Sequence, residues 1–341
     1  EVTHSPMLTD TQDSKAYDAD QKKILSLSSI ALSNFRNYSY SRIEVDTTPV
    51  VLSGRNGAGK TNILEAISLL TPGRGIRRAR ISELDNHASG GQPWTVAASV
   101  YGREGHVRIG TGRDPEVSDD SVNDKRITKI DGKIVKGQTE LARHVSLVWL
   151  TPQMEQLFQE SASTARKFFD RLVYSFDTEH ASRVNEYEFA MRERNKLLQA
   201  DRVDPIWLDA LEQTMAETGA AIAMARLSTC EHLNHAIQDS QLSFPKAHIH
   251  IGGMLEKLLE EGGSALSAED AFKSILRQNR PIDRGAGRTL HGIHRSEMQV
   301  THLEKNMPAE SCSTGEQKAM LLSMVLAQAW SGARWHGLVP V

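Results

Sequence analysis

The sequence predicts an α/β protein in which a helical lobe is inserted into a β-containing one. Three observations carry this. Short apolar runs of strand character fill the first part of the chain, the hydrophobic spacing turns helical beyond Pro152, and strand signals return from Ala247. At 341 residues the chain is long enough to bury more than one core.

Glu1 to Gln21 is polar, acidic and aperiodic, and is expected to be a disordered tail on a chain whose natural start lies elsewhere. From Ile24 the runs Ile24–Ile30, Ser41–Val45 and Val50–Leu52 read as strands divided by Asn, Asp and Pro. Thr95–Tyr101, His106–Ile109 and Arg126–Ile130 follow, and Asp131-Gly132 signals a hairpin turn into Lys133–Val135. Beyond Pro152, Val184, Tyr187, Met191 and Leu198 share one helical stripe, and Leu211, Met215, Ile222, Ala225, Leu233 and Ile237 share a second. The second stripe predicts a helix over Asp204–Gln241, an arm of roughly 50 Å at ~1.5 Å per residue. Ala268–Gln278 reads as a helix between strands at Ala247–Ile251 and Met298–Leu303, and Lys318–Trp330 as a last helix. The expected division is a first head segment over 22–152, a helical arm over 153–283, and a second head segment over 284–341.

The strongest local motif is Gly54-Arg55-Asn56-Gly57-Ala58-Gly59-Lys60-Thr61, between the Val50–Leu52 run and the helical Asn62–Ile67. It matches the P-loop pattern. Glycines let successive backbone N–H groups face a phosphate, and the following helix adds its positive end. Lys60 is expected on the β- and γ-phosphates of ATP, and Thr61 on the accompanying Mg²⁺. A chance match in a chain of this length has odds on the order of 1%.

Ser313-Thr314-Gly315-Glu316-Gln317 opens the last helix. It reads in two ways. As Ser-x-Gly-x-Gln it resembles the ABC signature, and as Ser followed by Glu three residues on it is a capping box. With the P-loop it predicts an ABC-type P-loop ATPase head with an inserted α-helical lobe.

Leu32-Ser33-Asn34-Phe35-Arg36-Asn37-Tyr38, the P-loop running into Asn62–Ile67, Gly292-Ile293-His294-Arg295 and Ser313–Lys318 follow one another as in the RecF family, which the chain resembles from about Ile24 to its end. Where that family often carries Pro, Ile293 stands here, and Ser296-Glu297 stands in place of two acidic residues. Chromosome-maintenance relatives separate the two motifs by hundreds of coiled-coil residues, whereas the interval here permits only a short arm. The resemblance implies a cytoplasmic ATP-dependent homodimer that binds double-stranded DNA at gaps or junctions and helps load recombinase with mediators of the RecO and RecR kind. In such proteins Ser313, Gly315 and Gln317 of one subunit complete the ATP site on the P-loop of another. The resemblance further implies Gln153, in Trp149-Leu150-Thr151-Pro152-Gln153, as a Q-loop residue for Mg²⁺ or water, with Pro152 as a plain strand terminator the other reading. Lys60 and Gln153 are thus the candidate catalytic residues. Leu338-Val339-Pro340-Val341 resembles the approach to a Walker B strand whose carboxylates lie beyond the sequence, so weak ATPase activity is expected of the full-length protein. An ATP-driven scaffold without hydrolysis and another ABC-type nucleotide-binding subunit are the alternatives.

Arg74, Arg77, Arg78 and Arg80 cluster after the P-loop helix, between the flexible Gly73 and Gly75 region and the next element. They read either as DNA phosphate contacts or as a solvated loop. Arg36 is a candidate to reach the nucleotide, with packing of Phe35 and Tyr38 the competing role of that turn. Arg166-Lys167 and Arg192–Lys196 read as salt-bridged helix faces. His248-x-His250, His232-x-x-His235 and His291-x-x-His294 lack the Cys or carboxylate partners of a zinc site. The net charge of −3 excludes a surface that grips nucleic acid all over, two distant cysteines exclude a disulfide scaffold, and no run is long enough to span a membrane.

Overall fold

The computed structural model describes residues 23–90, 92–102, 105–115, 125–202, 204–335 and 338–340. The expected tail at 1–21 lies outside them. Strand β1 (Lys23–Phe35) is the centre of the first sheet: it pairs antiparallel with β2 (Tyr38–Glu44) over its second half. Helix α1 (Lys60–Ser68) follows the phosphate-binding motif. Strands β3 (Thr95–Gly102), β4 (Gly105–Arg113), β5 (Arg126–Ile130) and β6 (Lys133–Ile134) then extend the sheet antiparallel from the other edge of β1. The β5–β6 turn is the expected one, with Asp131 at φ 48° and Gly132 at φ 81°, the two positive angles a two-residue I′ turn requires.

One strand expectation fails. Val50–Leu52 forms no strand, and Val50 and Val51 are 55% and 88% exposed. A three-residue apolar run becomes a strand only if a neighbour takes its hydrogen bonds. Both edges of β1 are occupied, by β2 and β10 on one side and β3 on the other.

A short helix α2 (Leu141–His144) closes the first core, where Ile30, Leu32 and Phe35 of β1 meet Ala66, Leu69 and Leu70 beside α1 and Trp94, Val96 and Ile109 of the sheet. Phe35 meets Trp94 edge to face at 5.6 Å. The packing role expected of Phe35 is therefore met.

Helices α3 (Ala162–Val173), α4 (His180–Gln199) and α5 (Pro205–Asp239) follow, the last two as an antiparallel pair. Asp204 caps α5 by accepting from the backbone N–H of Ile206 and Trp207 at 2.9 and 3.2 Å. Then come β7 (Ala247–Gly252), α6 (Met254–Glu260), α7 (Ala265–Gln278), α8 (Arg280–Ala286), β8 (Glu297–His302), β9 (Met307–Pro308), α9 (Thr314–Trp335) and β10 (Leu338–Pro340). Strands β7, β8 and β9 make a separate antiparallel sheet, and β10 joins the start of β1 in parallel.

Helix α5 belongs to two cores. Its first half buries Leu211, Met215, Ala220 and Ile222 against Tyr187 of α4, Leu255 of α6 and Phe272 of α7. Its second half buries Cys230, Leu233 and Ile237 with Phe168 and Phe169 of α3, the inward side chains of β7, and Met320, Leu321 and Met324 of α9. Residues from both sides of position 283 pack in each core, Phe272 with Ile293 in the first and Ile249 with Met320 in the second.

Arg192–Lys196 is salt-bridged as expected, but Arg194 makes its pairs inside the fold rather than on the surface. It is fully buried, donating to Glu212 at 2.9 Å, Asp283 at 2.7 Å and Thr289 at 2.9 Å, whereas Arg192 and Lys196 pair with Glu188 and Glu193 at the surface. Arg226 of α5 is likewise buried, paired with Asp170 of α3 at 2.9 Å. That guanidinium and His180 hold the Asp170 carboxyl well below the usual carboxylate range despite a burial that opposes ionisation. Arg166 is half-buried and donates to the carbonyl of Ser296 at 2.6 Å rather than to a carboxylate.

Candidate nucleotide-binding site

The phosphate-binding motif forms a turn that ends in α1, with Gly54 to Ala58 exposed and Gly59 as the residue before the helix. Gly59 has no substitute here. Its φ is 98°, and a Cβ would lie 2.6 Å from the Tyr38 hydroxyl and 2.8 and 2.9 Å from the Asn37 amide. Gly57, at φ 83°, faces open space. Lys60 is the first helical residue, and its Nζ donates back to the carbonyls of Gly54 at 2.6 Å and Arg55 at 2.8 Å. Arg55 and Asn56 are exposed within the loop, and Thr61 is exposed on the first turn. A glycine-lined turn, an ammonium and a hydroxyl at one helix N-terminus fit a phosphate with its cation.

Glu65, one turn further along α1, was not singled out by sequence reasoning. It is fully buried and accepts from Arg36 through both oxygens, at 2.9 and 2.7 Å, and from Arg77 at 3.0 Å. Arg36, expected at the nucleotide, is held instead by this carboxylate and by the carbonyl of Glu83 at 2.8 Å. Arg77 also donates to Asn62 at 2.7 Å. The four arginines expected to act together are therefore not equivalent: Arg77 is tied to α1, while the Arg74, Arg78 and Arg80 residues are exposed.

The loop carrying them is fixed from below. Ser68 accepts from the backbone N–H of Ile76 at 2.8 Å, and Arg126 of β5 donates to the carbonyl of Gly73 at 2.8 Å and to Gln138 at 2.9 Å. Burial lowers the Arg126 pKa to about 10. No local spacing signals Arg126, because its partners Gly73, Thr111 and Gln138 come from three separate stretches.

The Ser313–Gln317 turn lies on another core. Ser313 and Glu316 form the reciprocal pair of a capping box: the backbone N–H and hydroxyl of Ser313 donate to Glu316 at 3.1 and 2.9 Å, and the Glu316 N–H donates to the Ser313 hydroxyl at 3.4 Å. Lys305 bonds the same carboxylate and, with Ser313, lowers its pKa to about 2. Gly315 is exposed with open space around it, whereas Gln317 is buried and donates to the carbonyls of Cys312 at 3.0 Å and Glu310 at 3.2 Å. Gln317 shapes the turn from inside. Gln153 is exposed at the start of a 3₁₀ turn, Pro152–Gln159, which Glu155 ties to Lys318 of α9 at 2.7 Å. The structure thus brings Gln153 to the α9 side and gathers Gly54–Thr61, Arg36 and Arg77 on the other.

Gly292-Ile293-His294-Arg295 is a joint between α4, α7 and β8. Gly292 has φ 132°, Ile293 is buried among the arm helices, and the His294 Nδ1 accepts from the Tyr187 hydroxyl at 2.9 Å while Nε2 donates to the Thr289 carbonyl at 3.0 Å. Burial lowers the His294 pKa to about 4, which keeps the ring neutral in that arrangement. Ser296, buried, donates to Glu256 at 2.7 Å. Among the described residues no cluster of His, Cys, Asp and Glu has the arrangement of a metal site, and no helix is long and apolar enough to cross a membrane.

A P-loop motif at a helix start on one core and a Ser-x-Gly-x-Gln turn on another, within this mixed helix and sheet fold, place the chain in a class, the ABC-type ATPase heads of the RecF/RecN/SMC kind. Residues 26–335 match the family model for the RecF/RecN/SMC N terminal domain. The DNA replication and repair protein RecF of Agrobacterium fabrum is 43% identical over 319 residues, which are 93% of this chain and 83% of that protein. Its namesake from Allorhizobium ampelinum is 42% identical over 314 residues, 92% of this chain and 82% of the relative. The chain belongs to the RecF family. A solved structure of the recombination mediator protein RecF with ATP, from the RecFOR pathway, superposes with a TM-score of 0.79 at 22% identity, over 95% of this chain and 86% of that one, a likeness of fold.

Proposed function

We propose that this chain is an ATP-binding DNA-repair protein that acts as a recombination mediator, and that ATP joins two copies of it on DNA. The observation that carries the proposal is the separation of the two motifs. Gly54–Ala58 and Ser313–Gly315 are both exposed, each at the start of a helix whose buried residues belong to a different core. A nucleotide held by one P-loop is then completed by the signature turn of a second copy, where Ser313 and the Gly315 backbone meet the γ-phosphate. Gly54, Arg55, Asn56, Gly57, Ala58, Gly59, Lys60 and Thr61 form the cradle, and Gln317 keeps the opposing turn in shape. Mg²⁺ bound with the nucleotide would neutralise phosphate charge, with the Thr61 hydroxyl as its proposed protein ligand.

The relatives' names support a replication and repair role and recombination mediation with ATP in the RecFOR pathway; double-stranded DNA with a gap or junction as substrate, RecO- and RecR-like partners and a cytoplasmic location belong to the same proposal. Exposed Arg74, Arg78 and Arg80 supply the DNA phosphate contacts in this reading.

Nucleotide titration and light scattering of the full chain, with and without a non-hydrolysable ATP analogue, test the bridge. Lys60→Ala is expected to weaken nucleotide binding about tenfold or more, the loss of a charge-assisted contact of about 1.5–3 kcal/mol. Ser313→Arg is expected to bind nucleotide and remain monomeric. Dimerisation of Ser313→Arg on analogue addition would leave Ser313–Gln317 as a helix cap and nothing more.

A further inference from the structure

The arginine loop and the phosphate-binding loop are joined by a run of hydrogen bonds that neither motif requires. Gly59 accepts from the Asn62 backbone N–H at 2.8 Å, and a Cβ on it would press on the ends of the Asn37 and Tyr38 side chains. Asn62 donates to Asn37 at 2.7 Å, Arg77 donates to Asn62 at 2.7 Å, and the same Arg77 nitrogen, Nη1, donates to Glu65 at 3.0 Å. A path of contacts thus leads from the last glycine of the P-loop to one residue of the exposed basic loop.

Two features make Arg77 the movable member. Glu65 carries two guanidinium groups on one carboxylate, and Arg36 alone satisfies both of its oxygens, so departure of Arg77 strands no buried charge. Arg36 cannot leave as easily, because its side chain is anchored on the Glu83 carbonyl and its backbone N–H on the Leu84 carbonyl at 2.8 Å. The Arg77 side chain is 40% exposed, so it can leave Glu65 and Asn62 while the loop backbone stays held at Gly73 and Ile76.

We propose that Arg77 has two positions, one on Glu65 and Asn62 and one on the phosphate backbone of duplex DNA, and that opening of the phosphate-binding loop transfers it from the first to the second. Lys60 is bonded to the Gly54 and Arg55 carbonyls and must leave them to meet a phosphate; in the proposal its departure frees the loop to shift against Asn37, the hydrogen-bond partner of Asn62. The inference rests on the reading of the P-loop as a nucleotide site and of the arginine loop as a DNA site. Nucleotide and DNA are then linked within one chain, independently of dimerisation.

The test is the salt dependence of binding to a short fluorescent duplex between 50 and 200 mM salt, using the full chain and variants shown by circular dichroism to fold. One phosphate contact adds about 0.9 to the slope of log affinity against log salt, about 3.5-fold in affinity over that range. Without nucleotide, Asn62→Ala is expected to be steeper than the unsubstituted protein by that amount, and Asn62→Ala with Arg77→Gln to return to the original slope. With a non-hydrolysable ATP analogue, Arg77→Gln alone is expected to be shallower than the unsubstituted protein, and without nucleotide to match it. Equal nucleotide-free slopes for Asn62→Ala and the unsubstituted protein overturn the proposal, as does an Arg77→Gln effect that ignores nucleotide. Absence of any duplex binding by the unsubstituted protein with nucleotide overturns the DNA reading itself and this proposal with it.

Discussion

Replacing Gly292 by Ala tests whether the Gly292–Arg295 joint holds the arm. The added Cβ would lie 2.2 Å from the Tyr187 hydroxyl oxygen, 2.7 Å from Phe272 Cζ and 3.3 Å from His294 Nδ1, at a backbone φ of 132° that disfavours any side chain. Backbone strain of this kind costs about 1–3 kcal/mol, and forcing a methyl into a packed core about 1–3 kcal/mol more. If Tyr187 swings away, its hydrogen bond to His294 is lost as well, at about 1 kcal/mol or above. These costs overlap, since movement of Tyr187 relieves part of the crowding. The lower entropy of the unfolded Ala chain offsets about 0.4–1 kcal/mol. A net loss of about 3–5 kcal/mol is expected, measured by urea unfolding followed by far-ultraviolet circular dichroism. Adding Tyr187→Phe removes the atom nearest the new methyl, so the double variant should lose less stability than the sum of the single changes. A loss below about 1 kcal/mol for Gly292→Ala, or strict additivity with Tyr187→Phe, refutes the joint.

His294→Gln removes a titration together with the ring's hydrogen bonds to Tyr187 and Thr289, and only the titration varies with pH. His294 binds its proton only near pH 4 when folded, against 6.5 for the free side chain, because burial disfavours the charged ring. Between those values the unfolded chain holds more protons, so this residue makes stability rise with pH across the window, by about 3 kcal/mol in total. The difference in unfolding free energy between unsubstituted protein and His294→Gln should change by that order from pH 4 to 6.5, and a constant difference would show that the ring titrates normally. Changing Arg74, Arg78 and Arg80 together to Gln should lower the salt slope of duplex binding by about 0.9 for each phosphate contact removed. An unaltered slope moves the DNA surface elsewhere.

Periodicity and turn chemistry carried most of the fold. The two helical stripes correspond to α4 and α5, and Asp131-Gly132 to the β5–β6 turn, because each depends on neighbours within a few residues. Val50–Leu52 failed for the complementary reason: strand character is local, but a strand exists only where a free edge accepts it. The P-loop was legible as a motif down to Lys60 on the first turn of α1. Its surroundings were not, since Glu65 draws Arg36 from 29 positions earlier and Arg77 from 12 positions later. A carboxylate on the buried face of a helix, among apolar Ile63, Ala66 and Leu69, was the available hint that a cation must come to it. Arg194 and Arg226 were equally silent, because charged residues in helices usually face water and only the packing reveals otherwise.

Helix α5 is one rod fastened at both ends to different bodies. Its 35 residues make a shaft of roughly 50 Å at ~1.5 Å per residue, and its lone proline, Pro205, stands at the very start where it cannot kink the axis. Gly219, the other point of weakness, is clamped, with Phe272 and Leu255 at 3.2 and 3.3 Å from where a Cβ would stand, closer than ordinary van der Waals contact. Such a shaft transmits torque. A tilt of the arm by about 10° about the middle of the helix displaces the far end by about 4–5 Å, a scale comparable to one helical turn. Because that far end is packed against α9, whatever pushes on the arm steers the face that carries Ser313 and Gly315, and whatever seats that face sets the angle of the arm.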